Sequence, residues 1–443
     1  MQHATDYTNN DNEHEKLRTC IFNGKIKSSD TIIQDLFKVK LPSNWEKLND
    51  ETKRKLMRQW ARYAFPNLPE TLMSITVGST VDGDSEKSID EIPKWLDREK
   101  FSRGQKFAQD NLFGVFISTL LSLFGIYSFE DGLKPLIATG KSSEPYTAYK
   151  RYLSTVARFR NWYTSDPWTK GTIAYNDIRT VRRVHTIVRD KLNAMSNEDV
   201  DKAATIENPW SPMRNILLED FQSVCPVSLH GQCPFLMGAL DSVRLKKMNQ
   251  GEMALTQGSF VCLTILYPEA FGIHDATDDD LDAFCHLWRG IGYLLGIEDE
   301  FNFFRGSFDD IKQRSADYLN EWVKPNLRGI TSEWEHMIRC LMSGIQYYLP
   351  GMSYEIGLLY AMELMNINMP RLRSSLSYSD RIKHYFIKFI MNYACRFQQV
   401  KKYVNIFFDS CINRGLQFTD EKHAKLRVRS SKALNSAILN KHE

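Results

Sequence analysis

Residues 174–195, AYNDIRTVRRVHTIVRDKLNAM, decide how this chain is read. Ile178, Val181, His185, Val188 and Leu192 recur at helical spacing, so they share one face of an α-helix. Asn176 or Asp177 is placed to cap its start, because a short polar side chain there accepts from otherwise orphaned backbone donors. Arg179, Arg182, Arg183, Arg189 and Asp190 fall largely off the apolar stripe and are expected in water. His185 sits centrally on the stripe, where each ring nitrogen still needs a partner. A core histidine bonded to a backbone carbonyl meets that need, and so does a metal or haem ligand. Periodicity does not choose between them.

Working outward, the same helical signal recurs on both sides. Asp50 to Phe65 reads as a charged amphipathic helix stopped by Pro66 and Pro69. Val77 to Ser88 reads as a loop and a candidate boundary. Leu112 to Phe129 carries no charge over 18 residues, a borderline length for a membrane span. Its serines, threonine and glycines favour a buried helix, such as a pocket for an apolar ligand would need. Gly140-Lys141-Ser142 lacks the upstream glycine of a phosphate-binding loop, because Pro135 stands there, and a nucleotide site is rejected. Pro145 suits a first helical turn, and Tyr146 to Tyr163 continues as helix with Arg151 and Thr155 one turn apart. By themselves these two read as a surface arginine beside a tolerated threonine.

Downstream, Glu252 to Tyr267 is an apolar helix carrying Thr256 and Gln257 and ended by Pro268. Thr277 to Leu295 is strongly periodic, starts with a capping-box-like Thr277 and Asp280, and stops at Gly296. Within it Asp278, Asp279 and Asp282 fit the DDxxD pattern of enzymes that hold a diphosphate through magnesium. Their place at a helix start instead suits the helix dipole, and capping is the preferred reading. Three further helices are expected after Thr331, the longest from Asp380 to about Arg414. That one is basic and aromatic, suited to packing on the core or to lying on a membrane surface. No strand, hairpin or repeat pattern is found, so the fold class is all-α.

Composition sets the outer limits. A chain of 443 residues with 42% hydrophobic and 25% charged content can bury a large core. Its net charge of +3 is too balanced to imply nucleic acid. The polar N-terminus lacks the apolar stretch of a signal peptide, so the expectation is a cytoplasmic protein and not a secreted one. Peripheral attachment to the endoplasmic reticulum is the alternative expectation. The eight cysteines are then expected reduced, and Cys225, His230 and Cys233 fit no common zinc spacing.

Three segments taken together resemble a known family: 139–163 (TGKSSEPYTAYKRYLSTVARFRNWY), 178–185 (IRTVRRVH) and 248–302. They look like the rubber oxygenases, or latex clearing proteins, and the MpaB oxygenases, especially the insect-like eukaryotic branch. The similarity spans roughly residues 110–310. The resemblance implies a large helical domain with a globin-like core that binds haem b, with extra N- and C-terminal helices. It implies His185 as the proximal iron ligand, with Arg151 and Thr155 orienting dioxygen or a haem propionate. It further implies oxidative cleavage of a carbon–carbon double bond in an isoprenoid or other unsaturated lipid. The corresponding division is a polar tail (1–40), a helical cap (41–110), a catalytic core (111–330) and a C-terminal helical region (331–443).

The chain departs from the family pattern at two places. Ser154 stands where some rubber oxygenases place a distal lysine, which implies a haem open on that side. The family's catalytic glutamate has no clear counterpart, Glu130 and Glu144 being the candidates. Two alternatives follow: a non-catalytic haem or isoprenoid carrier, and a magnesium-dependent diphosphate lyase using Asp278, Asp279 and Asp282.

Overall fold

The computed structural model describes residues 29–235 and 245–439 and is built of helices, with no strand among the described residues. The principal helices are α1 (Asp50–Ala64), α2 (Arg98–Asp110), α3 (Leu112–Ile126), α4 (Glu130–Ala138), α5 (Pro145–Thr164) and α6 (Ile173–Ala194). They continue with α7 (Gln250–Leu266), α8 (Asp278–Leu294), α9 (Ser332–Ile345), α10 (Tyr354–Leu364), α11 (Tyr378–Asn392), α12 (Gln398–Leu416) and α13 (Asp420–Leu439). Most begin where a short polar side chain meets the first free backbone N–H groups. Asn49 does this for α1 and Asn249 for α7, and Thr277 forms a full capping box with Asp280 at α8. Helix α8 runs out just before Gly296, whose φ of +97° a β-carbon would strain. Within the segment read as a polar tail (1–40), Ser29–Phe37 forms a short helix; residues 1–28 lie outside the described residues.

Three helix pairs form the centre. Helix α2 lies so close to α8 that a β-carbon on Gly104 would stand 2.2 Å from the Ala283 carbonyl oxygen. Helix α3 packs along α7 and is stitched to it by hydroxyls: Thr119 Oγ1 donates to the Phe260 carbonyl at 2.9 Å, and Thr264 Oγ1 to Ser118 Oγ at 2.7 Å. Helix α9 packs along α5. Buried side chains from all of the regions read from the sequence, from Ile33 to Leu426, share one hydrophobic cluster.

Helix α3 is buried on nearly every side, which explains its uncharged run; it ends at Ile126. Among the described residues no single helix is long and apolar enough to cross a membrane, and α2 with α3 passes that test only as a pair bent by 88°.

Five sequence expectations change. The cap of α6 is Thr172, whose Oγ1 accepts from the Tyr175 N–H at 3.2 Å, so the helix starts ahead of Asn176 and Asp177. Arg189 is buried and Arg182 half-buried, because both are paired with carboxylates. Val77 and Gly78 belong to a buried helical turn, and the loop after them is pinned to α6 rather than linking separate units. The long helix expected from Asp380 to Arg414 is two helices, α11 and α12, broken around Tyr393–Phe397. Additional helices, including α10 and α13, follow Thr331 as well.

Candidate functional site

The site is built on the pair α5–α6, which a short connection makes antiparallel. Asp177 on α6 accepts from Asn161 Nδ2 at 2.8 Å and lies 3.8 Å from Arg158, both on α5. Moving the same distance along each helix from the Arg158–Asp177 contact brings His185 level with Lys150 and Arg151. Arg151 is close enough to depress the basicity of the imidazole. The histidine and the arginine, 34 positions apart in sequence, are therefore neighbours across one helix interface.

The apolar stripe of α6 is covered at its ends and open in its middle. Ile178 and Leu192 are buried, whereas Val181, His185 and Val188 between them are only half-covered. His185 Nδ1 is nevertheless sealed from solvent and has no hydrogen-bond partner among the described residues. Burial above all, with Arg189 and Arg151 adding to it, lowers its pKa to about 4, against an opposing pull from Asp84. The ring is consequently neutral at physiological pH, the form that ligates a metal.

Behind the histidine, a carboxylate clamp holds α6 in place. Asp84 accepts from Arg182 Nε at 2.9 Å and from a second nitrogen of the same guanidinium. Arg189 Nε lies 3.2 Å from Asp82. Arg182 and Arg189 are one turn before and one turn after His185, so the loop carrying both aspartates supports the turn that presents the imidazole.

Helix α5 supplies the facing wall. Arg151 Nη1 donates to Ser142 Oγ at 2.9 Å, and its guanidinium lies over the Tyr152 ring at 5.9 Å. Ser142, from the discarded phosphate-loop segment, thus serves to position Arg151. The Tyr152 hydroxyl is hydrogen-bonded to that of Tyr127, whose own ionisation burial pushes up to about 12. Thr155 Oγ1 donates to the Arg151 carbonyl at 3.1 Å, leaving its lone pairs to accept. Ser154 is exposed and too short to reach a metal from this helix.

A third wall comes from α7. Along its length exposed Thr256 lies between half-buried Glu252 and Phe260, one turn apart in succession, and only Leu266 at its end is otherwise less than fully buried. Phe260 meets Phe159 of α5 with ring centroids 5.6 Å apart. The start of α7 is tied to the end of α6, where the Lys247 N–H donates to Asn193 Oδ1 at 2.8 Å. These two ties hold α7 to α5 through Phe260 and to the end of α6 through the residue Lys247 that precedes it. Trp288 of α8 closes the far end, 5.1 Å from Phe159 and 6.0 Å from Phe260 between ring centroids.

Glu252 is the residue that sequence reasoning missed. Burial raises its pKa to about 7, only partly offset by Lys247, and the Met248 N–H donates to it at 2.5 Å. Glu130 and Glu144, the candidates named from sequence, are both exposed, and Glu130 pairs with Lys134 at 3.3 Å. Three residues after the Asn249 cap, Glu252 reads in sequence as a helix-start glutamate; tertiary burial makes it titrate near neutrality. Since its folded pKa exceeds the unfolded value, its burial weakens stability as pH rises from about 4.5 to about 7. Glu252→Gln is expected to raise stability by about 2–3 kcal/mol at pH 8 and to change it little at pH 4. Urea midpoints at the two pH values measure this.

The other sequence candidates are placed elsewhere. Asp282 takes a hydrogen bond from Lys100 at 2.6 Å, Asp280 one from Arg103 at 2.9 Å, and Asp279 and Asp278 lie 3.7 Å and 3.9 Å from Arg103 and Lys312. They open α8 as capping and ion-pairing residues. Cys225 and Cys233 are buried while His230 is exposed, and burial raises the Cys225 thiol to about 11. Among the described residues no group of three or more His, Cys, Asp or Glu side chains is arranged to hold a metal ion. A haem iron needs only one such ligand from the protein.

Comparison with protein-family models, with curated proteins and with solved structures returned no match for this chain.

Proposed function

We propose that this chain is a haem b-dependent oxygenase acting on the carbon–carbon double bond of an isoprenoid or another long unsaturated lipid. The observation that carries the reading is His185: a neutral imidazole with a buried nitrogen that has no partner among the described residues, on a half-covered apolar helix face level with Arg151. A core histidine without a second role would be expected to have that nitrogen paired. The resemblance of residues 110–310 to the rubber oxygenases supports the same assignment.

Haem, when bound, would supply a redox-active iron able to take dioxygen. His185 would hold it, and Arg151 and Thr155 would orient dioxygen or a propionate on the facing wall. Val181, Val188 and Phe260 exclude water and offer an apolar surface to the alkene. Glu252, which titrates near neutral pH, can hold or release a proton beside them. Addition of one dioxygen across one double bond, with cleavage to two carbonyl products, balances without an external electron donor.

Expression with a haem precursor tests the reading. A Soret band that shifts on reduction and on carbon monoxide binding is expected, together with oxygen uptake on an isoprenoid panel. A protein that stays colourless under haem loading overturns the proposal. One that binds haem and isoprenoid without consuming oxygen is a carrier.

A further inference from the structure

Helix α11 buries His384 and Met391 on its inner side. Its outer side is apolar as well. Tyr378, Ile382, Tyr385, Phe386, Phe389 and Tyr393 follow helical spacing and are all exposed, Tyr378 to 80% and Phe386 to 59%. Exposed aromatics continue past the break at Phe397 and along α12 at Tyr403 and Phe407. Single exposed apolar side chains are ordinary, whereas a continuous stripe on a helix already anchored by its other face marks an interaction surface.

The charge around the stripe identifies the partner. Between Tyr378 and Phe408 the chain has six basic residues and one acidic residue, in a protein whose net charge is only +3. Lys388 is engaged by Glu363 at 2.8 Å and Lys401 by Asp275 at 2.6 Å. Arg381, Lys383, Arg396 and Lys402 are exposed. A second copy meeting this face would set like charges against each other, which is destabilising. An aromatic stripe bordered by lysine and arginine instead matches a lipid surface, whose apolar boundary takes the rings and whose anionic headgroups take the cations.

We propose that α11, with the aromatic residues that follow it, docks this protein on an anionic lipid bilayer without crossing it. The proposal is independent of haem. It also places an apolar, membrane-dissolved substrate within reach of the protein.

The test is sedimentation of the full chain with vesicles of phosphatidylcholine, with and without phosphatidylserine. Binding is expected on the phosphatidylserine vesicles and weaker binding on phosphatidylcholine alone. Phe386→Glu combined with Phe389→Glu should weaken both by more than about tenfold, since each aromatic ring loses its apolar burial. Arg381→Gln combined with Lys383→Gln should weaken only the phosphatidylserine component, by about fivefold per charge. All four positions are exposed, so unchanged circular dichroism and thermal midpoints are expected to accompany these losses. Absence of binding to either vesicle, or binding that Phe386→Glu with Phe389→Glu leaves intact, overturns the proposal. So does a wild-type dimer in light scattering that the same pair of substitutions dissociates.

Discussion

His185→Ala is expected to act in opposite directions on the haem-loaded and the haem-free protein. With haem, the reading above makes His185 the only protein ligand to iron, so the reduced, carbon monoxide-sensitive Soret band should be lost. Without haem, the wild-type chain carries a cost that the variant does not. The folded imidazole titrates at about 4, below its ordinary 6.5. As pH falls from 6.5 towards 4, the unfolded chain takes up a proton that the folded chain refuses, and native stability declines. The full effect is about 3 kcal/mol for a shift of this size. His185→Ala should therefore show a flatter acid limb, with its denaturation midpoint gaining on the wild type between pH 7 and pH 4. A variant with the wild-type spectrum would remove His185 from the site. One with the wild-type acid limb would show that the imidazole is not held neutral.

Arg339→Met is expected to be the most destabilising of these substitutions, by about 3–5 kcal/mol at neutral pH. Arg339 is buried in α9, where Nε donates to Glu335 at 2.7 Å and Nη1 to Glu355 at 2.9 Å. Its guanidinium lies 4.0 Å from the Tyr354 ring centroid. Burial alone would lower its pKa, but Tyr354 and the two carboxylates raise it on balance. Glu335 is fully buried, and burial raises its pKa in spite of Arg339. Methionine matches the stem of arginine but strands this carboxylate, leaving it the Met213 N–H at 3.1 Å. With its folded pKa raised further above the unfolded value, the penalty grows as pH rises through that range. Urea midpoints at pH 5 and pH 8 should separate accordingly. Adding Glu335→Gln should restore much of the loss, because a neutral amide tolerates burial that an unpaired charge does not. An equal loss at both pH values would mean that packing, not charge, is the cause.

Local rules carried much of this protein. Helical spacing of apolar residues located α1, α5, α6, α7 and α8 to within a few residues, because a helix must show one face to a core. Pro145 at the first turn of α5 and the Thr277–Asp280 box at α8 fall where side-chain stereochemistry alone puts them. The aspartates at 278–282 were legible as helix-start residues on the same grounds. His185 stood out as a polar residue on an apolar stripe.

Tertiary structure decided what those residues experience. Whether His185 is paired or orphaned depends on what packs against α6, and the middle of that helix is left half-covered between buried ends. Arg182 and Arg189 were read as solvated because spacing reports direction from the helix axis; the aspartates that bury them arrive from a loop about a hundred residues earlier. Glu252 looks like any glutamate near a helix start until the folded chain desolvates its carboxyl, an effect that nearby Lys247 offsets only in part. The basic, aromatic run after Asp380 has periodicity enough for a helix, and its sequence shows neither the break at Tyr393–Phe397 nor which apolar side is covered. Local conformation follows from neighbours along the chain, whereas burial and proton affinity follow from neighbours in space.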